Sequence, residues 1–294
     1  MSAPTPAFTE SAATRLRQLL EQPELLAIPG CHDALSAKLC EQAGFSSAFM
    51  SGFAVSASRL GLPDTGLISY GEMLNQGQNI CNAVSIPIWG DGDTGFGNAI
   101  NIKRTVQGYA QAGLACIMLE DQVAPKRCGH TQGKSVVSRD EAAMRIQAAV
   151  DARNEGADIL IMARTDARAT HGLEEAIIRT QIFHEIGADI NFLEAPESLQ
   201  EMQQYCQSTP GYKLANLIEH GKTPLLSHTE LHRMGYKIAV YPLTLLNNSI
   251  QAMQHALIAL KNGHPPPAGL NFNELTETVG FNAYYQDEEK YKTD

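Results

Sequence analysis

The stretch Ile86-Pro87-Ile88-Trp89-Gly90-Asp91-Gly92-Asp93-Thr94-Gly95-Phe96-Gly97-Asn98 sets an apolar run against a glycine-rich turn with two aspartates. A segment of helical period, residues 100–112, follows directly. Two folds compete for this pattern. The spacing GxGxxGxG is that of a turn whose backbone N–H groups receive a pyrophosphate in an open, doubly wound sheet. Asp91 and Asp93 oppose it, because two carboxylates repel a phosphate and the downstream features of a dinucleotide site are missing. The alternative is a parallel strand that presents acids at its C-terminal end, where a (β/α)8 barrel carries its chemistry.

Working outward, the same unit recurs: a short apolar run, a polar turn, an amphipathic helical stretch. The apolar runs are 26–29, 47–50, 86–89, 115–119, 159–162, 190–193, 213–215 and 238–240. Helix-period stretches include 33–43, 100–112, 140–154, 173–185, 198–208 and 227–234. Gly44, Gly113, Gly156, Gly187 and Gly235 stand where helix C-caps want glycine. Runs that are apolar throughout suit strands buried on both faces. Eight of them alternating with helices favour a closed (β/α)8 TIM barrel, with an open sheet as the alternative. The residues just past each run are then rim residues: Ser51 and Gly52, Asp91 and Asp93, Glu120 and Asp121, Arg164 and Asp166, Glu194, Asn216 and Glu219, and Pro242.

Composition narrows the function. The chain has 294 residues, 44% of them hydrophobic, enough for one large core, and a net charge of −10. That charge argues against a nucleic-acid partner. Six cysteines (Cys31, Cys40, Cys81, Cys116, Cys128, Cys206) show no CxxC and no disulfide framework. No apolar run reaches the ~18 residues of a membrane span, and no secretory leader is expected, so a cytoplasmic protein with reduced thiols is the simplest expectation. The barrel domain is expected over residues 1–262. An arm over residues 263–294, with Phe281, Tyr284, Tyr285 and Tyr291, is expected to pack on a neighbouring subunit, a flexible tail being the alternative.

Asp91 and Asp93 lie two residues apart, so on extended chain they face one way and can share a cation. Hard oxygen donors suit Mg²⁺ or Mn²⁺, and Glu120 at the next rim would add a third acid. A solvated turn with an N-cap aspartate is the plainer alternative. Arg164 can take a carboxylate in bidentate fashion or pair with Glu194. Pro125-Lys126-Arg127-Cys128-Gly129-His130 opens a loop that continues through Lys134, long enough to serve as an active-site lid. Lys126, Arg127 and His130 are expected to activate the Cys128 thiol and attract an anion, unless Cys128 is an incidental exposed thiol.

GDGDTGFGN, LEDQ, PKRCGH, ARTDA and ANLIEHGKTP, with SGF and LGLPD upstream, together resemble the isocitrate lyase and phosphoenolpyruvate mutase superfamily over most of the chain. The KRCGH loop marks its carbon–carbon lyase branch. The resemblance implies a barrel whose last helix is swapped between subunits in a homotetramer. It implies Mg²⁺ held by Asp91 and Asp93, with Asp64 and Glu120 reached mainly through water. It implies that Ser51, Gly52 and Phe53 bind the α-oxyacid end, and that Arg164, Glu194, Asn216, Gly129, His130 and Pro242 complete the substrate pocket. Cys128 is the implied general acid, with Arg164 and Glu194 beside it.

The expected reaction is retro-aldol cleavage of a 2-hydroxy dicarboxylate to pyruvate and a short carboxylate. Methylisocitrate lyases resemble the chain too, but carry an arginine where Asn247 stands. Oxaloacetate hydrolases tend to have serine in place of Pro242. A substituted malate such as 2,3-dimethylmalate is therefore favoured. A phosphonate enzyme such as a carboxyphosphonoenolpyruvate mutase, and a binding protein that has lost catalysis, are the other candidates.

Overall fold

The structure, a computed structural model, describes residues 10–129 and 133–292. Eight parallel strands, β1 (Leu26–Cys31), β2 (Ala48–Met50), β3 (Ile88–Asp91), β4 (Cys116–Glu120), β5 (Leu160–Thr165), β6 (Ile190–Leu193), β7 (Tyr212–Asn216) and β8 (Ile238–Tyr241), form a closed barrel in chain order. β8 closes on β1, with Leu26 opposite Ile238 and Pro29 opposite Tyr241. Closure leaves no strand edge unpaired. The chain is thus a (β/α)8 TIM barrel, and each of the eight apolar runs is a strand or the start of one.

Burial explains why the runs are apolar on both faces. Inward-facing Phe49, Trp89, Met118, Met162, Phe192, Leu214 and Val240 pack with Ile28, Ile190 and Ile238 inside the barrel. The N-terminal helix Ala12–Glu21 adds Ala13, Leu16 and Leu20 to that cluster, against residues from the beginnings of the strands. Outward-facing Ile88, Ile117, Leu119, Ile161 and Ala163 meet the surrounding helices instead. The five expected helix-ending glycines all have positive φ, from 86° at Gly44 to 118° at Gly156.

The quoted turn does two jobs. Asn98 caps the helix Ala99–Gln111, its Oδ1 accepting from the N–H groups of Ile100 and Asn101. Tyr109 from that helix returns to donate to the Asp91 carbonyl at 2.8 Å, which fixes the end of β3.

Beyond the barrel, the helix Thr244–Lys261 buries only Leu246, and the helices Phe272–Val279 and Phe281–Glu289 bury nothing. Met253, Leu257, Ile258, Leu260, Phe272 and Tyr285 are all more than half exposed. The segment after residue 262 carries these last two helices, Phe272–Val279 and Phe281–Glu289. No described helix is long and apolar enough to cross a membrane.

Candidate active site

The C-terminal ends of the strands surround a cavity of about 510 Å³, its open mouth included. Among the expected residues, Ser51, Phe53, Asp64, Asp91, Cys128, Gly129, Arg164, Glu194, Asn216 and Pro242 line it. Gly52, Asp93 and Glu120 stand behind that wall, and His130 lies outside the described residues. The rest of the lining is apolar: Phe49, Met118, Met162, Phe192, Leu214, Ile218, Val240 and Leu243. Sequence inspection gave Ile218 and Leu243 no role and assigned the other six only to strands. The signal that would have found them is the period-2 alternation on each strand, which separates inward from outward positions.

Asp91 ends β3 and is held by the backbone. Its Oδ2 accepts the Gly52 N–H at 3.2 Å and its Oδ1 the Asp93 N–H at 3.0 Å. A Cβ on Gly52 would stand 2.4 Å from Asp91 Oδ2, so glycine is required for this approach. Asp93 does not continue the strand. Its φ of 47° lies in the left-handed region and turns the chain away from the extended path.

What Asp93 meets is Lys126. The Lys126 Nζ lies 2.6 Å from Asp64 Oδ1 and 3.0 Å from Asp93 Oδ1, with its side chain 3% exposed. The expectation that Lys126 serves the thiol is corrected: its ammonium is spent on the acid cluster. Burial works against that charge, but Asp93, Asp91, Glu120 and Asp64 outweigh it and hold the lysine pKa well above its usual value. The cluster still carries more acid than base. Burial first, then Asp91 and Asp64, raise the Asp93 carboxyl to about 7, and burial raises Asp64 and Glu120.

Arg164, next to last in β5, stands directly across from Glu120 in the strand register. Its bidentate partner is Asp166, at 2.8 Å from Nε and 3.1 Å from Nη2, and the expected ion pair with Glu194 is present beside it at 3.6 Å. Phe192 supports the guanidinium with its ring centroid 5.4 Å below. Asp166 is fixed in turn: its N–H donates to Asp121 Oδ1 at 2.9 Å, while Thr165 and Arg179 hold Asp121 Oδ2. Asn216 Nδ2 reaches Glu194 at 3.3 Å and 3.4 Å. The half-buried Cys128 thiol faces this group from the loop after β4.

A divalent ion can be tested against these donors. Neither carboxylate oxygen of Glu120 accepts a hydrogen bond, and the same holds for Asp64 Oδ1 and Asp93 Oδ1, although cations lie near each. Buried, under-satisfied hard oxygens in excess of the local cations fit Mg²⁺ or Mn²⁺. Among the described residues no three His, Cys, Asp or Glu side chains gather tightly enough to cage a metal. Few direct carboxylates with water filling the remaining positions is the habit of Mg²⁺.

Comparison with known proteins gives the family. The phosphoenolpyruvate phosphomutase family model matches residues 16–261. The 2,3-dimethylmalate lyase of Eubacterium barkeri is 42% identical over 287 residues, covering 96% of this chain and 99% of its own. The chloroplastic carboxyvinyl-carboxyphosphonate phosphorylmutase of Arabidopsis thaliana is also 42% identical, over 96% of this chain and 86% of its own. An oxaloacetate acetylhydrolase solved with 3,3-difluorooxalacetate superposes with a TM-score of 0.92 at 35% identity, covering 95% of this chain and 97% of that one. The chain belongs to the phosphoenolpyruvate mutase and isocitrate lyase superfamily and is one of its carbon–carbon lyases.

Proposed function

We propose that this lyase cleaves a substituted malate such as 2,3-dimethylmalate into pyruvate and a short monocarboxylate. The observation that carries this reading is the make-up of the cavity wall: a thiol, one cationic side chain in Arg164, three carboxylates, the Ser51 hydroxyl and the Asn216 amide, with an apolar remainder. A dicarboxylate can give one carboxylate to Arg164 and its alkyl groups to the lining. Its second carboxylate would meet Asp64, Asp91 and Glu194, so a divalent cation beside Asp91 is needed to reverse the repulsion. A tricarboxylate would leave a further anion without a cation in the wall. Asn247, the position noted in the sequence, is exposed and outside this wall.

Asp91, with Asp93, Asp64 and Glu120, would hold Mg²⁺. When bound, that ion supplies the Lewis acidity that eases deprotonation of the 2-hydroxyl. Arg164, locked by Asp166, orients the substrate carboxylate. As the hydroxyl proton passes to solvent, the C2–C3 bond breaks: C2 becomes the keto carbon of pyruvate and the electron pair stays on C3. Cys128 Sγ then gives its proton to C3 as general acid. The backbone at Gly129 covers Arg164 and Glu194 and keeps water from the carbanion. The exposed apolar faces of the C-terminal helices would meet further copies of this chain, in a homotetramer with the last helix exchanged.

A substrate panel tests the proposal. 2,3-Dimethylmalate, 2-methylisocitrate, oxaloacetate and phosphonopyruvate are offered with MgCl₂, products being identified by NMR. 2,3-Dimethylmalate is expected to give pyruvate and propionate at the highest kcat/KM, and EDTA to stop the reaction. The identity to the phosphorylmutase supports a second reading, phosphonate chemistry; turnover of phosphonopyruvate with no malate cleaved would establish it instead.

A further inference from the structure

Cys128 sits between two pinned residues. On one side, Arg127 is clamped through its backbone: its N–H donates to Gln122 Oε1 at 2.9 Å, and its carbonyl accepts from Gln122 Nε2 at 2.8 Å. Gln122 is buried and stands on a bridge to Val136 that ties the two ends of the loop together. On the other side, the Gly129 carbonyl accepts from Lys134 Nζ. The same ammonium bonds Asp166 Oδ1 at 2.9 Å, and the two side chains are 3% and 0% exposed.

Asp166 is the carboxylate that grips Arg164. One acid is therefore shared between a barrel cation and a loop cation. The bidentate bond to Arg164 already occupies Asp166, and its own N–H is held by Asp121. A buried ammonium is costly unless well paired, so the hold on Asp166 also fixes the Gly129 carbonyl that Lys134 carries with it. Lys126 makes an attachment on the other side of Cys128, but to the carboxylates assigned to the ion. Lys134 touches none of those.

We infer that Lys134 is a positioning residue for the thiol, tying the loop on the Gly129 side of Cys128 to Asp166 and so setting it against Arg164. This rests on the reading of Cys128 as the general acid, and nothing in the family resemblance or the relatives' names assigns Lys134 a part. Losing the ammonium frees the Gly129 carbonyl and lets Cys128 drift from the substrate carbon, while the Asp166–Arg164 pair, held by Asp121, persists. Proton delivery depends on such sub-ångström placement, whereas binding through Arg164 does not.

The test reads thiol position without turnover. Full-length wild type, Lys134→Met and Lys134→Arg are treated with iodoacetamide, and each cysteine is followed by peptide mass spectrometry. In Lys134→Met, Cys128 is expected to react about tenfold faster, with the other five thiols unchanged as controls of folding. Lys134→Arg, which keeps the charge and the donors, should stay within about twofold of wild type. With 2,3-dimethylmalate, kcat of Lys134→Met should fall about a hundredfold while KM moves less than about threefold. Unchanged Cys128 labelling in a folded Lys134→Met protein overturns the inference. If all six thiols label, Lys134→Gln replaces it under the same criterion. Should wild type cleave no malate, the labelling still decides what Lys134 holds, and only the proposed reaction is lost.

Discussion

Gly129 carries its backbone against the two side chains that close the pocket. A Cβ there would stand 2.5 Å from Glu194 Cδ and 2.6 Å from Arg164 Nη2, and Arg164 cannot yield without leaving Asp166. Gly129→Ala is therefore expected to lower kcat about a hundredfold with its thermal midpoint within about 2 °C of wild type, read by steady-state kinetics and calorimetry. Full activity would show that the loop need not approach so closely. At this scale the sequence was half informative. Asp91 and Arg164 declared themselves because a charged group at the end of a buried apolar run has few structural uses, and Cys128 because a thiol stands among cations in a long loop. Their partners did not. Lys126 is two residues from Cys128, yet its long side chain turns to Asp64 and Asp93, and the left-handed backbone at Asp93 that allows this leaves no mark on composition. Asp166 was visible as a rim acid, but its claim on Arg164 over Glu194 comes from the geometry at the end of β5.

Elements were most legible where both faces are buried. All eight strands follow from apolar runs, and the structure moves their limits by a few residues at most. The helix Tyr70–Ala83 shows why helices were harder: it holds Gly71, Gly77 and several amides, a poor helical composition. Gly77 is there because the helix presses on Met50 and Leu114, where a Cβ would lie 3.0 Å from Leu114 Cδ1. Helix-to-helix pairing carries a testable charge relay. Glu175 lies between Arg139 and Arg179, and their hydrogen bonds, with Arg139 the stronger influence, draw its carboxyl from 4.5 to about 2. A depressed folded-state value means stability fully present above about pH 4.5 and lost as pH falls through about 2. Glu175→Gln should flatten that part of the acid limb, measured as urea midpoints between pH 2 and 6. Parallel curves for the two proteins would show that the carboxylate is not paired in solution.

The whole molecule follows from one choice, barrel over open sheet, made on eight apolar runs alternating with helices, the two aspartates having argued against a dinucleotide turn. Closure brings residues from strands far apart in sequence to one rim, so Ser51, Asp91, Arg164, Glu194 and Asn216 face one cavity. Spacing cannot give that convergence without the fold. The C-terminal helices were the least legible part. Their apolar faces look outward from the described chain, and a single sequence does not say what covers them. The account stands on the thiol set over that rim. The most direct measurement is pyruvate release from 2,3-dimethylmalate with Mg²⁺ by Cys128→Ala, beside wild type and with the fold checked by circular dichroism. The account predicts a loss of about a thousandfold or more in kcat with the fold intact; activity within a few-fold of wild type would contradict it.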